Sequence, residues 1–299
     1  MNILVTGGDG FVGRHLCEVL AGRDHDLTVL SRTPDPSVLP ERTTTVSGDV
    51  RSYDSIESAF ADQDVVVNLV ALSPLFQPPD GTTHTEVHVD GTRNVVRAMM
   101  DHDVPKLVQM SSVGTKPDGA TGYVRAKGQA EWVVLTADID AVIVRPNIMF
   151  GENDEFTNFI DRTTLPYVTV LPDGGTTPFQ PLWVGDTAEM VADTAVDDRY
   201  CNEIYELAGP EELTIADVTR RIHRARGQSV TILPLPMTLV DGVLRAITPI
   251  SSVPFSADQA RLLRLDLRND RNDVSAFDYS EDDLMTLDTY LQSSELSAD

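Results

Sequence analysis

Glycines at positions 7, 10 and 13 follow the apolar run Asn2–Thr6 at the spacing G-x-x-G-x-x-G, and an amphipathic run, Phe11–Leu20, follows them and stops at Gly22. No other stretch limits so strongly what this chain can fold into. The short apolar run reads as a buried strand and the amphipathic run as a helix ended by glycine. Strand, glycine turn and helix in that order are the context in which spaced glycines point to a bound dinucleotide. Gly7 then permits the tight turn, Gly10 lets the backbone approach a pyrophosphate, and Gly13 lets helix and strand pack closely. The N–H groups at the helix start, around Phe11 and Val12, face the phosphates with the positive end of the helix dipole behind them. The alternative is an ordinary tight strand-to-helix turn.

Bulk properties narrow the class. A chain of 299 residues with 41% hydrophobic content can bury a substantial core as one large domain or two lobes. No apolar run approaches the roughly 18 residues of a membrane span. The first residues already read as strand and glycine turn, so no signal peptide is expected there. Two cysteines, Cys17 and Cys201, suggest neither a disulfide framework nor a metal site, and a cytoplasmic location is expected. The net charge is −24, the acids are dispersed, and the only lysines are Lys106, Lys116 and Lys127. Such a surface suits high salt, where self-repulsion is screened, or a basic partner. Dispersed acid with scarce lysine favours the halophilic reading. Nucleic-acid binding is not expected, because no basic patch is present to replace counterions.

Further along, Asp26–Leu30 reads as the second strand and leads into Ser31-Arg32. An Asp or Glu at that point would bond the 2′-hydroxyl of an NAD ribose, whereas an arginine suits a 2′-phosphate, so NADP(H) is the expected cofactor with NAD(H) as the alternative. Thr43–Ser47 reads as a third strand, followed by Asp49-Val50 and a helix over Ser52–Phe60. Asp49 is placed either to contact an adenine amino group or to begin the turn into that helix. Asp64–Val70 is a β-branched run suited to a buried parallel strand, which puts Val70 and Ala71 near the cofactor. Pro74–Gly81 is a proline-rich loop, and Thr83–His102 has helical periodicity. His84 and His88, with Glu86 and Asp90 close by, make a metal site conceivable. A packed or surface helix is the favoured reading, since no third ligand is apparent. Lys106–Met110 reads as the fifth strand, with Ser111-Ser112 at its C-terminal end, where ligands of open parallel sheets bind.

The chemistry-bearing residues come next. Tyr123 and Lys127 stand four apart on an expected helix running to about Leu135, and so share a face. An ammonium beside a phenol favours the phenolate, which fits Tyr123 for exchanging a proton with a substrate hydroxyl or carbonyl. Lys127 would also hold the nicotinamide ribose, and a serine hydroxyl after the fifth strand would polarise the same substrate oxygen.

With these motifs in place, residues 1–210 resemble the short-chain dehydrogenase/reductase superfamily in its extended and atypical branches. The resemblance rests on Thr6-Gly7-Gly8-Asp9-Gly10-Phe11-Val12-Gly13, Asp49-Val50, Gly91-Thr92-Arg93-Asn94-Val95, Ser111-Ser112, Tyr123 with Lys127, and Arg145-Pro146 ahead of Phe150-Gly151. The segments Phe179–Asp186 and Glu206–Pro210 are similar to the branch containing the NAD(P)-binding accessory subunit of respiratory complex I, with NAD-dependent epimerases and dehydratases as more distant relatives. The resemblance implies Tyr123 as acid/base, Lys127 as its activator and Ser112, with Ser111 next to it, as the substrate-orienting hydroxyl. It also implies Asp49 and Val50 beside the adenine, and Pro146 and Ile148 along the nicotinamide. Two departures stand out. The helix motif N-V-x-G-T reads His88-Val89-Asp90-Gly91-Thr92, which puts an imidazole where a relay asparagine is usual. Ser112 and Tyr123 are only 11 positions apart, shorter than in sugar-nucleotide epimerases, which argues against a nucleotide-sugar site.

After Gly151 the parallel-sheet rhythm weakens. Helices are expected over Phe156–Thr163, Asp186–Val196, Leu213–Arg226, 237–247 and 256–267, with short strands at Pro181–Val184, Ile204–Leu207 and Val230–Pro234, and Thr214 is a candidate helix cap. The apolar stretch Met237–Ile250 suits a lid, a membrane-surface face, a dimer face or plain core. The expected architecture is α/β: a doubly wound parallel (Rossmann) sheet over residues 1–152, with a smaller C-terminal α/β substrate lobe over 153–299, parts of which return to the core. The leading reading is an NAD(P)(H)-dependent oxidoreductase acting on a small-molecule substrate. A non-catalytic nucleotide-binding subunit associated with a respiratory complex is the alternative. A sugar-nucleotide epimerase or dehydratase is the third, and Arg220, Arg221, Arg224 and Arg226 would have to serve its diphosphate, although they read more naturally as the solvated face of a helix.

Overall fold

The computed structural model describes residues 1–76, 81–236, 238, 266–269 and 271–293. By contacts it divides into two units: Met1–Leu72, Pro78–Pro146 and Val184–Leu207 form the first; Ser73–Gln77, Asn147–Trp183 and Ala208–Asp299 form the second.

The first unit is built on strands β1 (Asn2–Thr6), β2 (Asp26–Ser31), β3 (Thr44–Ser47), β4 (Val65–Asn68), β5 (Lys106–Met110), β6 (Asp140–Pro146) and, after the excursion into the second unit, β11 (Glu203–Leu207). They form a seven-stranded sheet in the order β11-β6-β5-β4-β1-β2-β3. Every pairing in it is parallel. All its C-terminal strand ends therefore lie along one edge, and the order reverses beside β1, where a doubly wound sheet opens a crevice. Side chains on both faces of β4 and β5 are buried, as they must be in a sheet covered on each side. Helices α1 (Phe11–Gly22), α2 (Tyr53–Ile56), α3 (Gly91–Asp101), α4 (Gly122–Leu135) and α6 (Val184–Val196) supply the covering layers. One apolar cluster joins Leu4, Leu30, Val66, Leu107 and Ile143 of the sheet to Ile56, Val95, Met99 and Val134 of the helices. A single π turn, Thr85–Asp90, runs directly into α3. The helical periodicity of Thr83–His102 thus holds two hydrogen-bonding patterns.

The second unit is made of short pairings. Strand β7 (Met149–Phe150) pairs in parallel with β10 (Leu182–Trp183), and β9 (Pro178–Phe179) pairs antiparallel with β12 (Leu213–Thr214). Strand β8 (Tyr167–Pro172) pairs in parallel with β13 (Val230–Leu235) over six positions. Helices α5 (Glu155–Thr163), α7 (Ile215–Ala225) and α8 (Leu287–Ser293) close a core of Phe150, Phe156, Phe179, Val218, Ile222 and Leu291. Thr214 caps α7: its hydroxyl accepts from the Asp217 N–H at 3.1 Å and donates to the Asp217 carboxylate at 2.6 Å. The expected helices over 237–247 and 256–267, and the apolar stretch Met237–Ile250, lie outside the described residues except for Thr238, Asp266 and Leu267.

Candidate dinucleotide and proton-transfer site

The glycine turn between β1 and α1 is organised as its spacing predicts. Gly7 adopts a left-handed φ of 75°, which a side chain would strain. Its N–H donates to the Leu30 carbonyl at 2.7 Å, tying the turn to β2. A Cβ on Gly7 would lie 3.3 Å from the Val70 nitrogen, so the chain just past β4 comes close to the turn. Ala71, next along, is exposed. A Cβ on Gly13 would fall 2.5 Å from both the Gly7 oxygen and the Gly8 Cα, so α1 packs against the turn only without a side chain there. Gly10 differs. It caps α1 in an extended conformation with no side-chain cap hydrogen bond among the described residues, and a Cβ would meet only the Gly7 oxygen, at 3.2 Å. The fold itself does not require that glycine, and the space it leaves open lies over donor groups at a helix N-terminus. The residues present fit a dinucleotide pyrophosphate.

Beyond β3, the Asp49 carboxylate is held by Arg51, whose Nε donates to both carboxylate oxygens at 3.0 Å, and the Asp49 carbonyl accepts from Ser52 at 2.8 Å. That pairing, with a smaller contribution from the Arg32 charge, keeps the Asp49 carboxyl below its ordinary value. Asp49 thus begins the turn into the next helix, one of its two expected roles. The Val50 carbonyl accepts from Asn94 at 2.7 Å, and a Cβ on Gly91 would sit 2.8 Å from a Val50 methyl. The Gly91–Val95 motif therefore lets α3 approach and pin the Asp49-Val50 loop. Ser31 donates to the Asp9 carboxylate at 2.8 Å, and the Arg32 side chain is exposed.

The second half of the site stands on β5 and α4. Lys127 is only 2% exposed, and its Nζ donates to the carbonyl of Met110, the last residue of β5, at 2.9 Å. Burial pushes its pKa down to about 8, against a partial offset from Glu131 one turn along. Glu131 in turn accepts two bonds from Arg145, at 2.8 and 2.7 Å, and Arg145 also reaches Glu206 at 3.1 Å. The ammonium thus ends an alternating string of buried or half-buried charges. Tyr123, one turn before Lys127, meets the rings of His84 and His88 edge-on at 5.5 and 5.7 Å, and the two imidazoles stack at 5.6 Å. His88 is buried, and desolvation first, then Lys127 and His84, holds its pKa well below the ordinary histidine value, so the ring is neutral. Its Nε2 accepts from the Leu72 N–H at 3.4 Å, which places the ring proton on Nδ1. Among the described residues no group of three His, Cys, Asp or Glu side chains is arranged to hold a metal ion.

Of the two serines, Ser111 is buried, with its hydroxyl 3.4 Å from that of Thr115, while Ser112 is half-buried and its hydroxyl contacts the Val113 carbonyl at 3.4 Å. Pro146 is buried at the end of β6 and accepts from the Val113 N–H at 3.1 Å. Ile148 belongs to the second unit, where it packs against the core around Phe150. Sequence reasoning missed a buried polar chain under the strand ends. Thr6 donates to Asn68 at 2.6 Å, Asn68 to Gln109 at 2.9 Å, and Gln109 to the Met110 carbonyl at 3.3 Å, the same oxygen that holds Lys127. Polar residues closing otherwise apolar strands were the available signal. Asp9 was the other omission.

Comparisons with known proteins bear on the family and the fold. NADH dehydrogenase (ubiquinone) 1 alpha subcomplex subunit 9, mitochondrial, of Arabidopsis thaliana is 28% identical over 280 residues, covering 89% of this chain and 68% of its own length. The NADH-ubiquinone oxidoreductase 40 kDa subunit of Neurospora crassa is 25% identical over 230 residues, covering 74% of this chain but only 59% of its own. The crystal structure of Thermus thermophilus UDP-glucose 4-epimerase with NAD superposes with a TM-score of 0.67 at 22% identity, over 89% of this chain and 98% of that one, and so shares the fold. Residues 3–171 match the sequence model of one family, and the chain belongs to it: the NAD dependent epimerase/dehydratase family.

Proposed function

We propose that this chain is an NAD(H)-dependent oxidoreductase acting on a small molecule, with Tyr123 as its acid/base. One observation carries the reading: Tyr123 and Lys127 share a face of α4, and Lys127 is buried and anchored on the end of β5. A fold that needed only a nucleotide scaffold would gain nothing from desolvating an ammonium there. The bound dinucleotide supplies the hydride donor or acceptor. Tyr123 exchanges the proton with the substrate oxygen, Lys127 favours the phenolate, and Ser112 orients the same oxygen. Phe11, Val12 and Gly13 hold the pyrophosphate, Asp49 and Val50 border the adenine, and Pro146 borders the nicotinamide. Arg32 supports NADP(H) by its charge; the family's NAD dependence and the neighbouring Asp9 support NAD(H), which is the reading adopted. The spacing of Ser112 and Tyr123 weighs against a nucleotide-sugar substrate. A cytoplasmic location and a high-salt milieu accord with the two free cysteines and the dispersed acid.

A second reading, a nucleotide-holding subunit associated with a respiratory complex, is favoured by the names of the plant and fungal relatives. The test is a carbonyl and alcohol panel assayed by nicotinamide absorbance at high salt, with Tyr123→Phe as control. Turnover lost in the variant supports the oxidoreductase. Dinucleotide binding without turnover of any substrate, and with no effect of the variant, favours the subunit.

A further inference from the structure

We propose that Asp9, inside the glycine turn, makes the ribose end of the site selective for NAD(H) and overrides Arg32; the proposal rests on the dinucleotide reading above. The Asp9 carboxylate is not directed to solvent at random. Its Oδ2 accepts from the Ser31 hydroxyl at 2.8 Å and from the Asp35 N–H at 3.3 Å. These two donors flank Arg32 in sequence and lie at and just beyond the C-terminal end of β2, where a dinucleotide fold receives the adenosine ribose. The carboxylate is thereby fixed at the place where an acid on β2 itself would bond the 2′-hydroxyl. Its other oxygen, Oδ1, has no hydrogen-bond partner among the described residues and is left to accept from such a hydroxyl. A 2′-phosphate in the same place would bring a second anion against a fixed one, at a separation where the repulsion is strong.

Arg32 does not cancel this charge. Its side chain is exposed and makes no hydrogen bond among the described residues, and its charge acts on the Asp49 carboxyl, which Arg51 already holds. Ser31, the residue that would otherwise donate to a 2′-phosphate, has its hydroxyl proton committed to Asp9. Two of the three groups at the end of β2 therefore favour a hydroxyl over a phosphate.

The test is titration calorimetry of the full chain with NADH and NADPH, on wild type, Asp9→Asn, Asp9→Ser and Arg32→Ala, with thermal melts as the folding control. Asparagine keeps an acceptor for Ser31, and serine removes the carboxylate altogether. The wild type is expected to bind NADH about ten-fold or more tightly than NADPH, as one opposed charge pair at short range allows. Both Asp9 variants should lose that preference through tighter NADPH binding, and Arg32→Ala should leave NADH affinity unchanged. A wild type that prefers NADPH overturns the proposal. So does a preference for NADH that survives in both Asp9 variants while NADH still binds. Binding of neither dinucleotide to the wild type overturns it together with the dinucleotide reading, and so is distinguishable from the other failures.

Discussion

The candidate site is shaped at the β1–α1 turn by leaving side chains out, whereas at the β5–α4 segment it is shaped by packing polar side chains in. Gly7 and Gly13 are forced by backbone geometry, and Gly10 leaves donors uncovered. Around α4 an ammonium, two imidazoles and a phenol are brought together within the first unit, and the ammonium shares a carbonyl with a polar chain that begins on β1. On the function proposed above, the first arrangement would bind through backbone dipoles, and at Gly13 it leaves no room for added volume. On the same proposal the second would perform chemistry through side chains, at the cost of desolvating them. If the contrast is right, substitutions at the turn should act on stability or affinity, and substitutions at α4 on turnover.

The largest effect is expected from Tyr123→Phe. Removing the hydroxyl should lower turnover by a factor of about 10²–10⁴, the usual contribution of a positioned acid or base, while dinucleotide affinity changes by less than about two-fold. Steady-state rates and calorimetry on the same preparation check both halves. Equal losses in rate and affinity would break the division between the two ends. Next is Gly13→Ala, which must push the added methyl into backbone on two sides. A destabilisation of about 1–3 kcal/mol is expected, read as a drop of several degrees in the melting temperature.

Lys127→Met tests the other side of the contrast. Burial lowers the folded pKa of Lys127 from 10.5 to about 8, so the charged form is disfavoured in the fold. That penalty is fully present below about pH 8 and fades as pH rises toward the unfolded value. The lost bond to Met110 offsets part of the relief. Lys127→Met should therefore be more stable than wild type by about 1–2 kcal/mol at pH 7 and yet be inactive. The two stabilities should converge as the pH approaches 10, which denaturant melts across that range will show. A variant less stable than wild type at every pH would mean that the ammonium is structural.

These contrasts also explain what the sequence disclosed. Lys106–Met110 was legible to the residue because apolar Leu107, Val108 and Met110 follow directly after Pro105 and precede Ser111-Ser112. The placement of Tyr123 and Lys127 four apart on one helix was legible because helical spacing is a local property. Strand β6 was overlooked, since its seven residues begin with Asp140 and end with Arg145-Pro146, and its pairing with β5 and β11 is long-range. The two-residue strands of the second unit are too short to carry any periodicity. In β8 burial alternates from Val168 to Pro172, but the apolar Val168 and Val170 lie on the exposed side and the polar Thr169 on the buried one, so the residue types do not display it. Asp9 was read only as a spacer between glycines, because its role depends on Ser31 and Asp35, 22 and 26 positions away. Lysine usage is intelligible only in the folded chain: two of the three lysines are buried, so the avoidance of lysine is a property of the surface.

The smallest expected change in stability is also the sharpest test of the contrast. Gly10→Ala adds the same methyl group as Gly13→Ala, three positions away in the same motif. Gly10 already has φ −79° and ψ −177°, an extended conformation that alanine adopts without strain. The new Cβ meets only the Gly7 oxygen, 3.2 Å away, which needs to yield by a few tenths of an ångström. Losing glycine also reduces the entropy of the unfolded chain, a gain of roughly 0.4–1 kcal/mol that opposes the contact. The melting temperature should therefore stay within a degree or two of wild type. Affinity for NADH should nonetheless fall by about ten-fold, because the methyl occupies the space over the α1 donors that a pyrophosphate needs. A stable Gly10→Ala protein with undiminished affinity would show that the opening serves no ligand. It would also reduce the turn to a packing device, leaving α4 as the only part of the site with a chemical reason for its composition.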